Sequence, residues 1–320
     1  MEFDQVSDAG NAGQSSGDLH DFNAIAQWRG KHQADKPAFV FLMDGEKESH
    51  ALTYGELHRI ACSVAAWIQE HELVGERVLL LYPPGIDFVI GLLGCLYAGA
   101  IAVPAYPPHP RRSDSRLEAI FEDCQPKAAF CIQKDIENLS LQLADQNLVI
   151  LATDTLSPST GTWESRAVGH DSIAYLQYTS GSTGNPKGVM VTQGNLLHEC
   201  EYLANLSGHD ENMVLVSWQP FFHDMGLVGS VVFPMFVGAI CYVMAPAAFL
   251  RKPIRWLQAL SRYRGTSATG PNFAFELCVT QTTAEQREGL DLSSWKVAWN
   301  GAEPIRADTL DRFCEVYEPY

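Results

Sequence analysis

The sequence predicts an α/β protein made of two stacked α/β subdomains with largely parallel sheets. Three observations carry this. Short runs that are apolar throughout, such as Val78–Tyr82, Ala128–Ile132, Ile173–Tyr178 and Met213–Trp218, recur along the chain. A strand apolar on both faces must be covered on both, which is the condition of a parallel sheet between helices. Helical segments separate these runs, the alternation expected of α/β folds. Finally, 320 residues at 46% hydrophobic and 19% charged suffice for two ordinary domains or one large one. That composition excludes disordered, collagen-like and repeat-array chains.

Residues 1–18 are rich in Gly, Ser, Asp, Asn and Gln and are expected to be a disordered acidic tail. The first subdomain is expected over 19–190. Thr53-x-x-Glu56 is a capping box, and the helix after it carries Leu57, Ile60, Ala61, Val64, Ala65 and Ile68 on one stripe. Strand Val78–Tyr82 follows. Pro83-Pro84-Gly85 turns the chain into a helix over Asp87–Ala98, then strand Ala100–Val103. The Pro-rich run from Pro104 to Pro110 can be neither helix nor central strand. Ser115-x-x-Glu118 starts another helix, and strands Ala128–Ile132, Leu148–Leu151 and Ile173–Tyr178 close the unit. The second subdomain, 191–320, is expected to hold helices at Gly194–Leu206, Pro253–Tyr263, Phe273–Thr280 and Ile305–Val316. Its strands are expected near Met213–Trp218, Ala239–Met244, Ser267–Thr269 and Lys296–Trp299.

The net charge of −16, from 22 Lys+Arg against 38 Asp+Glu, argues against nucleic-acid binding, which needs a basic footprint. It leaves room for a local basic pocket for an anion such as ATP. The N-terminus has neither the basic nor the apolar segment of a secretory signal. The eight cysteines form no C-x-x-C pair and sit mostly in apolar runs, as reduced core residues of a cytoplasmic protein do. Two long uncharged stretches, Phe88–Ala105 and Met225–Pro246, are punctuated by Gly and Pro. Each reads as a buried helix followed by a buried strand, so no stable membrane insertion is expected.

The chemistry concentrates in Tyr178-Thr-Ser-Gly-Ser-Thr-Gly-Asn-Pro-Lys-Gly188, between two apolar β-runs. Glycines let backbone N–H groups converge on phosphate oxygens without Cβ obstruction. Thr179, Ser180, Ser182 and Thr183 add hydroxyls, one of which could ligate Mg²⁺, and Lys187 adds a positive charge. The order G-x-x-x-x-G-K-[ST] of the Walker loop is absent. A second motif, G-x-S-x-G at Gly13–Gly17, lacks the strand before it and the helix after it that a hydrolase nucleophile needs.

This glycine- and hydroxyl-rich run resembles the phosphate loop of adenylate-forming enzymes, the superfamily of acyl-CoA synthetases, luciferases and peptide-synthetase adenylation domains. Pro104-Ala-Tyr-Pro-Pro-His-Pro110, Pro220-Phe-Phe-His-Asp-Met-Gly-Leu227, Gly270-Pro-Asn-Phe-Ala274 and Asn300-Gly-Ala-Glu-Pro304, in that order, resemble the fatty acyl-AMP ligases. The resemblance runs from about residue 20 to the end. It implies the large N-terminal domain of such an enzyme, with ATP and Mg²⁺ as cofactors. The implied reaction joins a medium- or long-chain fatty acid to AMP, releasing pyrophosphate. The implied acceptor is the phosphopantetheine of an acyl carrier protein. An acyl-CoA synthetase and a non-catalytic nucleotide- or acyl-binding module are the alternatives.

By the same resemblance Thr179, Ser180, Gly181, Ser182, Thr183, Gly184 and Lys187 hold the ATP phosphates, with Thr183 toward the Mg²⁺ that accompanies ATP. Asn300, Gly301, Ala302 and Glu303 form an adenine-binding turn, at a strand's C-terminal end where α/β ligands bind. His223 positions substrate, with Asp224 orienting it or capping the next helix. A base is not required, because a carboxylate nucleophile is already ionised at neutral pH. Met225, Gly226, Gly229, Gly270, Phe273 and Phe275 are the expected acyl-pocket residues; ordinary core is the competing reading for each taken singly. Relatives in this family continue past the position of Tyr320 with a Glu motif, an Asp for the ribose, a hinge and a small Lys-bearing domain. The chain is therefore expected to be an N-terminal part of the enzyme, weakly active or inactive alone.

Overall fold

The structure, a computed structural model, describes residues 19, 21–108, 115–144, 146, 148–157, 163–165, 168–179 and 186–320. The expected tail and the G-x-S-x-G run lie outside the described residues. In chain order the elements are α1 (Phe22–His32), β1 (Pro37–Met43), β2 (Lys47–Thr53), α2 (Tyr54–Glu70), β3 (Arg77–Leu80), α3 (Asp87–Ala98), β4 (Ile101–Pro104), α4 (Ser115–Cys124), β5 (Ala128–Cys131), α5 (Ile136–Gln142), β6 (Val149–Ala152), β7 (Ile173–Thr179) and β8 (Lys187–Thr192). There follow α6 (Gln193–Ser207), β9 (Val214–Ser217), α7 (Asp224–Leu227), a π-helical turn (Val228–Val232), α8 (Phe233–Val237), β10 (Ile240–Met244), α9 (Pro246–Arg251), α10 (Ile254–Arg262), β11 (Ser267–Gly270), α11 (Asn272–Thr280), α12 (Ala284–Arg287), β12 (Val297–Asn300) and α13 (Ala307–Tyr317).

The strands form two six-stranded sheets, ordered β6-β5-β3-β4-β7-β8 and β12-β11-β9-β10-β1-β2. Each has five parallel strands and one antiparallel edge strand, β8 paired to β7 and β2 paired to β1. Successive side chains of a strand point to opposite faces, and this sorts the core into layers. Val78 and Leu80 of β3 join Phe39, Leu215, Cys241 and Val243 of the other sheet in one central cluster with α2 and α3. Their neighbours Leu79 and Leu81 pack outward against α4 and α5. Val40, Leu42 and Val216 pack outward on the other side against α9, α10 and α11. The result is helices, sheet, helices, sheet, helices, with α3 buried along its whole length from Phe88 to Ala98.

The capping box forms as expected, with Thr53 Oγ1 accepting from the Glu56 amide and Glu56 accepting from the Thr53 amide. Both uncharged stretches resolve into buried helix then strand: α3–β4, and α7 through α8 then β10. Among the described residues no helix is long and apolar enough to cross a membrane.

One feature of the second sheet differs from a division at residue 190. That position falls inside β8, which belongs to the first sheet, while β1 and β2 pair into the second sheet through β10, about 200 residues away in sequence. The β1–β2 hairpin is also not among the expected strands. β2 reads Lys-Glu-Ser-His-Ala-Leu-Thr and is exposed over its first five residues, an edge strand with no apolar run to reveal it.

Candidate functional site

Parallel strands of a sheet deliver their C-terminal ends to one side, and ligands of α/β proteins bind there. In the second sheet these ends are Ser217 of β9, Gly270 of β11 and Asn300 of β12. The segment after β9 crosses above them and is held at each step. Trp218 is buried and stacks on Phe249 with ring centres 4.1 Å apart. The Gln219 amide donates to Ser217 Oγ at 3.1 Å. Phe221 packs on Phe88, and the Phe222 carbonyl accepts from Gln177 Nε2 of β7 at 2.7 Å. The last bond ties the segment to the first sheet, next to the strand that leads into the glycine-rich loop.

His223 is the N-cap of α7. Its Nδ1 lies 2.6 Å from Asp224 Oδ1, and both side chains are at least half exposed. The Met225 amide is 2.7 Å from the same carboxylate oxygen and 3.3 Å from Nδ1. With Nδ1–H donating to Asp224, the Met225 amide donates to the carboxylate too. The hydrogen bond to Asp224 raises the imidazole pKa above its ordinary value, against partial burial and the nearby Arg116. The same bond lowers the Asp224 carboxyl.

The two shifts have opposite pH consequences. His223's share of the pairing is complete below about 6.5 and fades as pH rises through the raised value. Asp224's is complete above about 3.9 and fades as pH falls through the lowered one. An NMR titration should place the His223 midpoint above about 6.5, and Asp224→Asn should bring it back. A midpoint unmoved by that substitution would contradict the pairing.

The Asn300–Pro304 turn is anchored on its C-terminal side. Glu303 accepts from the Phe273 amide at 2.6 Å, a carboxylate in the first turn of α11 where the helix N-terminus favours it. Asn272 Oδ1 accepts from the Arg306 amide at 3.0 Å. Just before these anchors Ala302 adopts φ 66°, a left-handed conformation that a residue with Cβ seldom takes. A Cβ on Gly301 would lie 3.2 Å from Met225 Cε, so the turn and α7 approach closely there.

Below the turn and α7 is a cavity of about 460 Å³. Leu215, Ser267, Thr269 and Trp299 form one wall, all on the inner face of the sheet by register. Met225, Val228, Gly229 and Phe233 form the opposite wall. Glu199 and Leu203 of α6 complete it, and Asp224, Asn300, Gly301 and Ala302 surround the strand-end side. The wall that carries Gly229 is the π-helical turn, a wide local geometry frequent at functional sites. Ser230 Oγ bonds Ser217 Oγ at 2.7 Å and pins that turn to β9. Tyr54 Oη donates to the Ala239 carbonyl at 2.6 Å, and Arg29 Nη2 to the Phe236 carbonyl at 2.8 Å, fixing α8 from behind.

Of the residues the sequence singled out, Met225, Gly229, Asn300, Gly301 and Ala302 come together around this cavity. His223 adjoins it through Asp224, and Glu303 is occupied in holding α11. Thr179 and Lys187 face each other as the last pair of the β7–β8 hairpin, Lys187 exposed. Ser180, Gly181, Ser182, Thr183 and Gly184 lie outside the described residues. Three expected acyl-pocket residues sit elsewhere. Phe275 is fully buried against Trp256 and Phe313 in the outer layer. A Cβ on Gly270 would meet Ala274 Cβ at 3.2 Å and the Trp256 ring at 3.4 Å, so that glycine makes room for core packing. Phe273 is partly exposed and packs edge-on to Trp218.

Gly226 likewise makes room for backbone, since its Cβ would come 2.2 Å from the Pro220 carbonyl oxygen. Gly226→Ala should therefore push α7 off its seat and destabilise the protein by about 1–3 kcal/mol, the cost of overpacking a tight site. Chemical denaturation measures this, and an unchanged midpoint would contradict it.

Sequence reasoning missed Ser267, Thr269, Leu215 and Trp299 as wall residues. Each sits in a short strand where an inward residue looks like core, and only the register shows that they share a face. It also missed Arg116, whose Nη2 donates to the Tyr178 carbonyl at 3.1 Å, beside the strand end that leads into the loop.

A two-sheet α/β body with a turn and a cavity at its strand ends has the arrangement in which α/β proteins bind their ligands. The AMP-binding enzyme family model matches residues 26–319, and the chain belongs to that family. It is 43% identical over 305 residues to the medium-chain-fatty-acid–[acyl-carrier-protein] ligase JamA of Moorena producens, covering 92% of this chain and 52% of JamA. It is 34% identical to the medium-chain-fatty-acid–[acyl-carrier-protein] ligase TtuA of Teredinibacter turnerae, covering 88% of this chain and 51% of TtuA. A solved structure of the fatty acyl-adenylate ligase from L. pneumophila, in complex with acyl adenylate and pyrophosphate, superposes with a TM-score of 0.90. That match has 34% identity and covers 95% of this chain and 54% of that one. The chain thus spans about half the length of the curated relatives it matches.

Proposed function

We propose that the whole protein activates a fatty acid with ATP to acyl-AMP and pyrophosphate, then passes the acyl group to the phosphopantetheine thiol of an acyl carrier protein. The observation that carries this is the cavity under the Asn300–Pro304 turn, mostly apolar in its walls and closed by small residues at the strand ends. The acyl chain is assigned to it, with the carboxylate at the end near Asp224 and Met225 and the adenine against Gly301 and Ala302. The relatives' fatty acid and carrier protein, and the acyl adenylate and pyrophosphate of the Legionella structure, agree with this chemistry.

The reaction needs positioning and charge dispersal more than proton transfer. The fatty carboxylate oxygen attacks the α-phosphorus, the new P–O bond forms, and the bond to the β-phosphate oxygen breaks to release pyrophosphate. His223 sits where the carboxylate and phosphates would meet and acts through its held position and raised proton affinity. Lys187 and the loop from Thr179 are assigned to the leaving pyrophosphate. Mg²⁺, a hard cation that prefers oxygen, would come with the phosphates; the hydroxyl of Thr183 is the oxygen donor assigned to it. The hydroxyl- and amide-rich make-up of that loop fits such an ion. A cytoplasmic setting accords with ATP use and with eight free thiols.

The test uses the whole protein with octanoate, ATP and Mg²⁺. Octanoyl-AMP and pyrophosphate should form, persist when CoA is added, and be consumed when phosphopantetheinylated carrier protein is added. Rapid octanoyl-CoA formation would replace the carrier protein by CoA as acceptor. Failure to form octanoyl-AMP or any other acyl-AMP would overturn the reading.

A further inference from the structure

The β7–β8 hairpin carries Thr179 and Lys187 at an edge of the first sheet. β8 is the last strand of that sheet, and its neighbouring residues Val189 and Met190, which point to opposite faces, are both exposed. A hairpin whose outer strand is uncovered on both faces belongs to the elements that open locally at low free energy. Thr179 and Lys187 form its last pair, so their placement depends on a tie to a better-packed element.

Tyr178, one residue before that pair, supplies such a tie. Its side chain is only 3% exposed. Its hydroxyl donates to Asp123 Oδ2 at 2.5 Å, and its carbonyl accepts from Arg116 Nη2 at 3.1 Å. Arg116 and Asp123 are seven residues apart on α4, two helical turns, and therefore share one face of that helix. Leu117, Ile120 and Cys124 seat α4 on the sheet, in the same cluster as the Tyr178 ring. The ring lies over Gly188, its partner across the strands: a Cβ there would sit 3.0 Å from Tyr178 Cζ and 3.1 Å from Oη. One residue thus joins α4, β7 and β8 beside the Thr179–Lys187 pair. A phenylalanine would bury the same ring, and the hydroxyl adds the bond to α4.

We propose that Tyr178 is a positioning residue for polyphosphate binding, tied by Arg116 and Asp123 of α4 so that the Thr179–Lys187 pair stays fixed against the first sheet. This rests on the acyl-activation reading above, which assigns that pair to the leaving pyrophosphate. Tyr178 acts through the pair next to it. AMP, assigned to Gly301 and Ala302 on the other sheet, does not depend on it.

The probes are pyrophosphate with Mg²⁺ and AMP, titrated calorimetrically into the 320-residue chain. Tyr178→Phe should weaken pyrophosphate binding about tenfold, the lower end of what a hydrogen bond to a charged group supplies, and AMP binding by less than about twofold. The ratio to the parent should hold as salt rises, because the lost bond is not one to the ligand. Asp123→Ala should cost the same, and the double variant no more than either single one, since both remove one bond. Asp123→Asn keeps an oxygen acceptor and should recover most of the loss. Asp123 is exposed, so its variants serve if Tyr178→Phe misfolds. Pyrophosphate binding within about twofold of the parent in folded variants, an equal loss for AMP, or additive losses in the double variant would overturn this proposal while leaving acyl activation standing. A parent chain that binds AMP but no pyrophosphate would do the same. A parent chain that binds no AMP would overturn acyl activation and this proposal with it.

Discussion

Gly229→Phe is expected to cost roughly 100-fold in affinity for an octanoyl-adenylate mimic while sparing a butanoyl one. Gly229 lies in the π-helical wall, and a Cβ added there would meet only Thr269 Cγ2, at 4.0 Å across the cavity. A larger side chain therefore extends into the cavity beside Thr269, the space assigned to the acyl chain. Displacing about four methylenes at about 0.8 kcal/mol each costs about 3 kcal/mol, which is about two decades in the dissociation constant. A short acyl chain stops before that point and keeps its contacts. Calorimetry with both mimics measures the difference, and a thermal melt shows whether the variant is folded. Octanoyl binding within about threefold of the parent, in a folded variant, would contradict the assignment of this cavity to the acyl chain.

Lys187→Ala should weaken ATP and pyrophosphate binding about 10- to 100-fold and AMP binding far less. Lys187 is exposed at the start of β8, opposite Thr179, so the β7–β8 pairing holds its backbone at the base of the glycine-rich connection. A charge-assisted hydrogen bond to phosphate contributes about 1.5–3 kcal/mol, which gives that range. The loss should shrink as salt rises, because an exposed charge is screened. Equal loss for AMP and pyrophosphate would remove Lys187 from the leaving-group side of the site.

The sequence revealed the parts of the fold whose signals are local. The Thr53–Glu56 box, the stripe from Leu57 to Ile68 and the apolar runs of β3, β5, β7, β9 and β10 each announce themselves within a few residues. The pairing of β1 with β10 does not, because a parallel neighbour about 200 residues away leaves no mark on either strand. The site shows the same division. Gly301 and Ala302 were singled out through the family resemblance, with which their place at a strand end agrees. Phe273 and Phe275 were read together, yet residues two apart on a helix at about 100° per residue point to nearly opposite sides. One consequently meets Trp218 and the other is sealed against Trp256 and Phe313. Glycine was the least readable type. Gly229 opens onto the cavity, whereas Gly226 and Gly270 admit a carbonyl and a tryptophan ring, and nothing in a sequence tells what a missing side chain makes room for. Ser267 was missed for the converse reason. A serine in a four-residue buried strand carries no signal until register places it on the cavity wall.

The central claim is that one cavity, between the π-helical turn and the inner face of β11 and β12, receives the acyl chain of an acyl adenylate. A crystal structure of this chain with the octanoyl sulfamoyl adenosine tests it most directly. The account predicts the adenine against Gly301 and Ala302, and the acyl carbons in the cavity walled by Val228, Gly229 and Phe233. An acyl chain lodged instead in the smaller crevice between the two sheets, among Phe41, Tyr82, Phe88 and Phe221, would contradict it.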